Sequence, residues 1–322
     1  MADMAYKFHR FPLRLPFGPG EVNVYLLTEG RHAVLVDAGP ADPEVLHRLE
    51  ESLASSGIGR GDIQEAVMTH YHPDHCGLAA ELQSSGVRII MSRTEAELLE
   101  EFMSRPERDS EKADYYGRHP VPDDFREQVS LLFPIYRSLM GRFRPDRVLE
   151  DGEEVHVGGV RLRALVTPGH TAGHLALWNE EERALFCGDT LLDGVAPQIS
   201  LRPEILDTDP LGAYLETLER LMALGPAVAW PGHGDPIRDP RSCSLRIIQI
   251  YKRYLDTILS CIASEPRTAF DICGRAFPDD RHAFGRWISL GRTIACLCRL
   301  RALGKVEESA MGGDARSYRI PD

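Results

Sequence analysis

The chain has 322 residues, 43% of them hydrophobic, which is enough for one large domain or for one domain with a small appendage. No apolar run approaches the ~18 residues that a membrane-spanning helix needs, and the N-terminus lacks a signal-peptide pattern, so we expect a cytoplasmic protein without membrane attachment. The formal net charge of −12 disfavours a protein that binds nucleic acid through phosphate contacts. The 7 cysteines include no C-x-x-C motif, which argues against a disulfide framework.

The N-terminal part of the chain alternates strand and helix patterns. Residues 8–20 contain prolines and glycines and are predicted to end in a turn. Residues 43–55 repeat apolar side chains at helical spacing and carry Pro43 where a helix tolerates it. Short runs rich in β-branched and leucine residues predict strands at 22–27, 33–37, 64–69 and 87–91.

The third of these strands is followed by a loop, residues 70–75, that is dense in metal-binding side chains. Four of the six can act as ligands: His70, His72, Asp74 and His75. Because residues two apart in an extended loop point to the same side, His70 and His72 can share one ion. Asp74 and His75 are adjacent and are expected to diverge. A lone histidine at a strand end is usually structural, but this density favours two neighbouring metal positions.

Residues 94–147 interrupt the strand pattern with helical segments. A capped helix is predicted at 94–103, and an apolar helical face runs through 125–143. This helical insertion either lies over the site or packs on the edge of the core without contacting substrate. The sequence leaves both alternatives open.

From Val148 the strand pattern returns, and its loops again carry potential ligands. A helix is predicted at 211–224, and His170, Asp189 and His233 lie in loops beside strands. Two face-to-face sheets with helices outside would accommodate this alternation. The predicted strands are 154–157, 160–166, 175–178, 184–187 and 227–230.

The C-terminal part is predicted to be helical and to end in a hairpin. Helices are predicted at 241–264, 268–277 and 289–303, followed by a hairpin with Gly312 and Gly313 at its tip. Such an order is typical of a winged helix. DNA binding is disfavoured by the negative net charge, so packing or an oligomer contact is the preferred interpretation.

Four motifs follow one another along the chain: His70-Tyr71-His72-Pro73-Asp74-His75, Pro168-Gly169-His170, Cys187-Gly188-Asp189-Thr190 and Pro231-Gly232-His233-Gly234. In this order they resemble the motifs of the metallo-β-lactamase superfamily, over about residues 18–238. The resemblance implies an αββα sandwich of the α/β (α+β) class, with a metal-binding domain at 1–238 and a small winged-helix-like domain at 239–322.

The resemblance also implies a site for two divalent ions, with zinc expected first and iron or manganese as alternatives. Asp74 would be catalytic, orienting the attacking hydroxide and passing a proton to the leaving group. The first ion would be held by His70, His72 and His170, the second by Asp74, His75 and His233, and Asp189 would bridge them. Residues expected to orient these ligands are His174, Thr190, Asp37 and Thr69, although His174 could equally be only a hydrogen-bonded histidine at a strand end.

Within the superfamily the motifs look most like the glyoxalase II branch and its winged-helix-bearing relatives, which implies hydrolysis of a small ester-type substrate, with a thioester preferred. A lactonase, an endoribonuclease and a persulfide dioxygenase remain alternatives. From another class, the chain could be a winged-helix nucleic-acid-binding protein with a secondary metal site. A homodimer through the C-terminal part or the insertion is a further expectation. Candidate contacts for an anionic substrate tail are Lys252, Arg253, Tyr254, Arg137, Arg142 and Arg144.

Overall fold

Two β-sheets form the centre of the computed structural model, which describes residues 6–16, 20–104, 118–199, 208–280, 282–312 and 315–321. In the first sheet, neighbouring strands follow chain order: β1 (Lys7–Arg14), β2 (Glu21–Glu29), β3 (His32–Val36), β4 (Glu65–Val67), β5 (Arg88–Ser92) and β6 (Arg147–Leu149). The second sheet has the order β11-β10-β9-β8-β7, from β7 (Glu154–Val157), β8 (Val160–Val166), β9 (Leu175–Asn179), β10 (Ala184–Gly188) and β11 (Val228–Pro231).

Helices cover the outer faces of both sheets. The first begins at Pro43, after Asp42, whose side chain accepts the backbone N–H groups of Glu44 and Val45 and so caps the helix. The helices are α1 (Pro43–Ser55), α2 (Pro73–Cys76), α3 (Ala79–Ser84), α4 (Arg93–Ser104), α5 (Asp123–Ser130), α6 (Leu132–Ser138), α7 (Pro210–Leu224), α8 (Pro240–Ile262), α9 (Ala269–Ala276) and α10 (Ala283–Ala302).

Alternation of side chains along each strand builds separate cores on the two faces of each sheet. Val34 and Val36 of β3 point between the sheets, where they pack with Leu175 and Leu177 of β9. Leu35 points outward to the core beneath α1. The outer face of the second sheet packs against α7 and the C-terminal helices. This four-layer arrangement confirms the predicted αββα sandwich.

The structure differs from the prediction in two places. Residues 7–14 form an edge strand that was not predicted, and this edge position tolerates Pro12, which cannot donate a backbone hydrogen bond. The turn predicted at the end of residues 8–20 lies largely outside the described residues. The helix predicted over 125–143 is two short helices, α5 and α6, that meet at Leu131. Pro134 explains the break, since its ring excludes a continuous helix through Ser130.

The C-terminal part forms α8, α9 and α10, followed by the antiparallel strands β12 (Glu307–Gly312) and β13 (Ala315–Arg319). Its buried residues share one core with the second sheet and with α5 and α6; Phe133 of the insertion, for example, packs against Trp287 of α10. Separate domains divided near residue 238 therefore stay a prediction. None of the helices that the structure describes is long and apolar enough to cross a membrane.

Candidate metal centre

Four loops meet at one edge of the sandwich and carry the predicted ligands. The loop after β4 carries residues 70–75, and the loop between β8 and β9 carries His170. Asp189 follows β10 and His233 follows β11; these two strands are parallel, so their carboxyl ends lie side by side. All seven predicted ligands come together at this edge, although they are spread over more than half the chain.

The first cluster consists of His70, His72 and His170. Nδ1 of His72 lies 3.0 Å from Nε2 of His70 and 3.0 Å from Nε2 of His170. Three ring nitrogens therefore converge on one point, with His70 fully buried. Imidazole nitrogens grouped in this way are the usual donor set for zinc and related transition metals.

The far nitrogens of this cluster are anchored to oxygen acceptors. Nδ1 of His170 lies 3.0 Å from the carbonyl oxygen of Gln198, to which it donates. Nδ1 of His70 lies 3.0 Å from Oγ1 of Thr69, whose hydroxyl in turn donates to Asp37. These contacts place the protons on Nδ1 and leave both Nε2 lone pairs directed inward. Metal-binding histidines are normally oriented in this way, so the residues fit a divalent ion.

The second cluster consists of Asp74, His75 and His233. Nε2 of His233 lies 3.2 Å from Nε2 of His75 and 3.4 Å from Oδ2 of Asp74. The far nitrogens of the two histidines are hydrogen-bonded as well. Nδ1 of His75 lies 2.8 Å from Oδ2 of Asp37, and Nδ1 of His233 lies 2.6 Å from the carbonyl oxygen of Glu21. The donor geometry thus repeats that of the first cluster.

The expected divergence of Asp74 and His75 is wrong. Oδ2 of Asp74 lies 3.8 Å from Nε2 of His75, so both side chains reach the same cluster. The reason is that Pro73 starts a short helical turn, α2, rather than a continuing extended loop. In that turn the long imidazole reaches back to the shorter carboxylate.

Asp189 lies between the two clusters. Its Oδ2 is 3.6 Å from Nε2 of His170 on one side and 3.6 Å from Nε2 of His233 on the other. Its buried Oδ1 has no hydrogen-bond partner within the described parts of the chain, which is unusual for a carboxylate oxygen. A Cβ atom on Gly232 would lie 2.4 Å from this oxygen, so only glycine leaves room for it.

Asp37, at the end of β3, ties both clusters to the scaffold. It is 1% exposed and has a φ of 63°, a backbone conformation that is uncommon outside glycine. Its carboxylate accepts hydrogen bonds from the backbone N–H and the hydroxyl of Thr69 and from Nδ1 of His75. One carboxylate therefore orients a ligand of each cluster, directly for His75 and through Thr69 for His70.

His174 contacts Asp189 through the backbone. Nε2 of His174 accepts the N–H of Asp189 at 3.1 Å, while its Nδ1 lies 2.8 Å from Oγ1 of Thr167 and 3.0 Å from Oγ1 of Thr190. Both ring nitrogens are thus used within the protein. His174 and Thr190 hold the turn that presents Asp189 and do not themselves join either cluster.

Burial and neighbouring charges give the two clusters different protonation states. Burial lowers the pKa of His70, His72 and His170, that of His72 to about 3, so these imidazoles are neutral at pH 7. Burial also acts against the cationic form of His75 and His233, but the charges of Asp189 and Asp74 outweigh it. They raise the pKa of His233 to about 9 and that of His75 well above its usual value.

The same charges keep the carboxylates ionised. Burial alone would raise the pKa of Asp74, but His75 and the hydrogen bond from His233 lower it to about 2. His233 and His75 likewise hold the pKa of Asp189 well below its ordinary range, against the effect of burial. Without metal, the second cluster is therefore a carboxylate–imidazolium group.

Metal loading is expected to release protons mainly at the second cluster. The imidazoles of the first cluster are already neutral at pH 7, whereas the extra protons of His75 and His233 must leave before their Nε2 atoms can bind an ion. Zinc affinity of the second cluster should thus fall as pH is lowered below about 9, with little change at the first cluster down to about pH 6.

Isothermal titration of zinc in buffers of different ionisation enthalpy measures this release. Two binding events that release equal numbers of protons would contradict the assignment. The His233→Ala variant serves as the control, because it should lose the proton-releasing event and keep the other.

The insertion reaches the site through Tyr136 of α6. Its ring centre lies 6.2 Å from that of His72 and 6.3 Å from that of Phe102. Of the residues predicted to contact an anionic substrate tail, Lys252, Arg253, Arg142 and Arg144 are exposed. Tyr254 packs against Tyr251 and Phe277, and Arg137 lies over the ring of Phe102.

Several residues that shape the site were not anticipated. Asn23 and Tyr25 of β2 donate side-chain hydrogen bonds to the carbonyl oxygen of Pro231 and thereby hold the loop of His233. Gln198 contributes only its backbone carbonyl, for which a sequence carries no signal. An asparagine within an apolar strand was the one available hint, since a buried amide must find hydrogen-bond partners.

The chain is similar to several known proteins. The family model described as "Metallo-beta-lactamase superfamily" matches residues 17–233. "Probable metallo-hydrolase YqjP" of Bacillus subtilis is 29% identical over 279 residues, covering 82% of this chain and 82% of that protein. "Atrochrysone carboxyl ACP thioesterase" of Aspergillus fumigatus is 28% identical over 232 residues, covering 72% of this chain but 42% of that protein.

Two solved structures match nearly the whole chain. The "metallo-beta-lactamase family protein TTHA1429" from Thermus thermophilus is 31% identical with a TM-score of 0.84, and the alignment covers 98% of both chains. A "Beta-lactamase domain protein" from Burkholderia ambifaria has a TM-score of 0.81 at 23% identity, covering 99% of this chain and 93% of that one, and supports the fold alone.

Proposed function

Because this chain belongs to the metallo-β-lactamase superfamily of metallo-hydrolases, we propose that it is a dinuclear hydrolase of a small thioester. The observation that carries the proposal is the position of Asp189 between two clusters of inward-directed ligand atoms. The first cluster would hold one ion and the second cluster the other, with Asp189 shared between them. Zinc is the preferred metal for such nitrogen and carboxylate donors, with iron or manganese as alternatives.

Two bound divalent ions would supply Lewis acidity and an activated water nucleophile. The protein's own contribution lies in Asp74, the more exposed of the two cluster carboxylates, with 17% of its side chain accessible against 8% for Asp189. Since Asp74 is ionised at neutral pH, it can accept the proton of the attacking water at its other oxygen, Oδ1, and pass it to the leaving group. Tyr136 and Phe102 provide an apolar wall beside His72.

A thioester is favoured over the other ester-type substrates by two observations. The motifs resemble those of glyoxalase II, and a relative that is 28% identical is named an acyl-carrier-protein thioesterase. The apolar wall at Tyr136 makes a lactone the second candidate, since a lactone needs an apolar pocket beneath the insertion.

Charge pairing supports a small-molecule substrate over nucleic acid. The third helix of the predicted winged helix lies within α10 and carries Arg299 and Arg301, which form ion pairs with Asp209 and Glu308. Arginines held in this way do not offer a basic stripe to phosphates. The role that we propose for the C-terminal part is support of the site: Tyr251 of α8 donates a hydrogen bond to the carbonyl oxygen of Pro197, next to Gln198.

A substrate panel tests the function directly. Zinc-loaded protein is assayed with acyl thioesters, lactones, phosphodiesters and RNA, and we expect the highest kcat/KM for a thioester. The His170→Ala variant, purified in the same way, is the control for contaminating hydrolases and should be inactive. Turnover of RNA or phosphodiesters in preference to thioesters, lost in the variant, would refute the proposed substrate class while keeping the metal site.

A further inference from the structure

Glu95 is a fully buried carboxylate in the first turn of α4, and it lies outside both ligand clusters. We propose that Glu95 is a positioning residue that holds the two loops of the first cluster together. The proposal rests on the metal-binding function proposed above and names a residue that sets the geometry of its first cluster.

One oxygen of Glu95 holds the loop that carries His70 and His72. Oε2 accepts the backbone N–H of Tyr71 at 2.9 Å. Tyr71 is the residue between the two histidines, so this hydrogen bond fixes the peptide from which both ligands project. Ordinary ladder hydrogen bonds cannot supply this anchor, because β4 ends at Val67.

The other oxygen holds the loop that carries His170. Oε1 accepts the hydroxyl of Thr171 at 2.6 Å and the backbone N–H of Gly173 at 2.8 Å. Ser92 adds two hydrogen bonds to this contact: its hydroxyl donates to the carbonyl oxygen of Gly173 and accepts the N–H of Glu95. A Cβ atom on Gly173 would lie 2.5 Å from Cβ of Thr94, so the close approach needs glycine.

These contacts join loops that are distant in sequence. Nδ1 of His72 and Nε2 of His170 lie 3.0 Å apart although 98 positions separate the two residues. In the metal-free protein no ion links these two side chains, so other contacts must hold the two loops together. Glu95 provides a direct side-chain bridge between the two loops.

The chemistry of the bridge requires an ionised carboxylate. Three donors converge on its two oxygens, and a carboxylate accepts at both, whereas a glutamine amide accepts at only one. In Glu95→Gln, whichever way the amide turns, its NH2 group meets a backbone N–H. The position in the first turn of α4 also suits a negative charge, because helix N-termini stabilise anions.

The experiment compares Glu95→Gln with Glu97→Gln, an exposed glutamate in the same helix. Hydrogen exchange of the metal-free proteins is followed by mass spectrometry in segments 70–76 and 170–176. We expect faster exchange in both segments of Glu95→Gln and in neither segment of Glu97→Gln. Zinc affinity at the tightest site, measured by chelator competition, should fall by about 10–100-fold, the usual loss when a partner that orients metal ligands is removed.

A milder variant keeps the test usable if Glu95→Gln does not fold. Thr171→Val keeps the side-chain volume and removes one of the three hydrogen bonds, so it should shift exchange and zinc affinity in the same direction by less. Unchanged exchange in both segments together with unchanged zinc affinity would overturn the positioning role. If the unmodified protein bound no zinc tightly, the proposed function would fail, while the exchange data would still decide whether Glu95 joins the loops.

Discussion

Replacing Asp189 with alanine is expected to leave fewer than two tightly held metal ions per chain. Asp189 lies within 3.6 Å of ligand nitrogens in both clusters. Its removal deletes a shared ligand and also exposes His75 and His233 to each other without the charge that raises the pKa of both. The loss of kcat/KM should exceed about 100-fold, more than removal of an outer hydrogen-bond partner causes.

Elemental analysis after dialysis measures the ion count. Asp193→Ala is the matched control, because Asp193 lies four positions along the chain, is exposed, and pairs with Arg246 away from the clusters. The control should keep the metal content of the unmodified protein. Two ions per chain in Asp189→Ala would rule out the bridging role.

Asp74→Asn is expected to lower kcat by about 10²–10⁴-fold, the range that general acid–base catalysis contributes. Asparagine keeps the volume of Asp74 but cannot take up the proton of the attacking water. Because the pKa of Asp74 is near 2, its ionisation should not shape the rate profile between pH 5 and 9 in the unmodified protein. Steady-state kinetics on the substrate found by the panel measures the change.

Metal analysis of the same variant separates catalysis from ligation. The first cluster contains no atom of Asp74, so Asp74→Asn should still hold one ion tightly. A normal kcat in this variant would show that Asp74 does not handle the proton. Loss of both ions would instead mean that the two clusters do not bind independently.

The ligand-bearing motifs could be recognised from the sequence because each is short and its side chains are typical metal ligands. His70 and His72, for example, lie two apart directly after a strand, and the structure places their nitrogens 3.0 Å from each other. The alternation of strand and helix patterns along the chain likewise predicted the two sheets with their covering helices. Where local chemistry and local periodicity decide the structure, the prediction holds.

Contacts between distant segments could not be predicted from local sequence patterns. Glu95 looked like an ordinary helix residue, and only the folded chain brings it to Tyr71 and Gly173. The turn α2, which brings Asp74 and His75 together, was taken for an extended loop. The break at Leu131 could have been foreseen from Pro134, whereas the carbonyl of Gln198 that orients His170 leaves no trace in the residue type.

Anomalous diffraction from crystals grown with zinc tests the central claim most directly, because it counts and locates ions in one measurement. We expect two anomalous peaks, one among Nε2 of His70, Nδ1 of His72 and Nε2 of His170, and the other among Asp74, His75 and His233, with Asp189 contacting both. A single peak, or two peaks of which one lies outside these residues, would contradict a dinuclear site built from the two clusters.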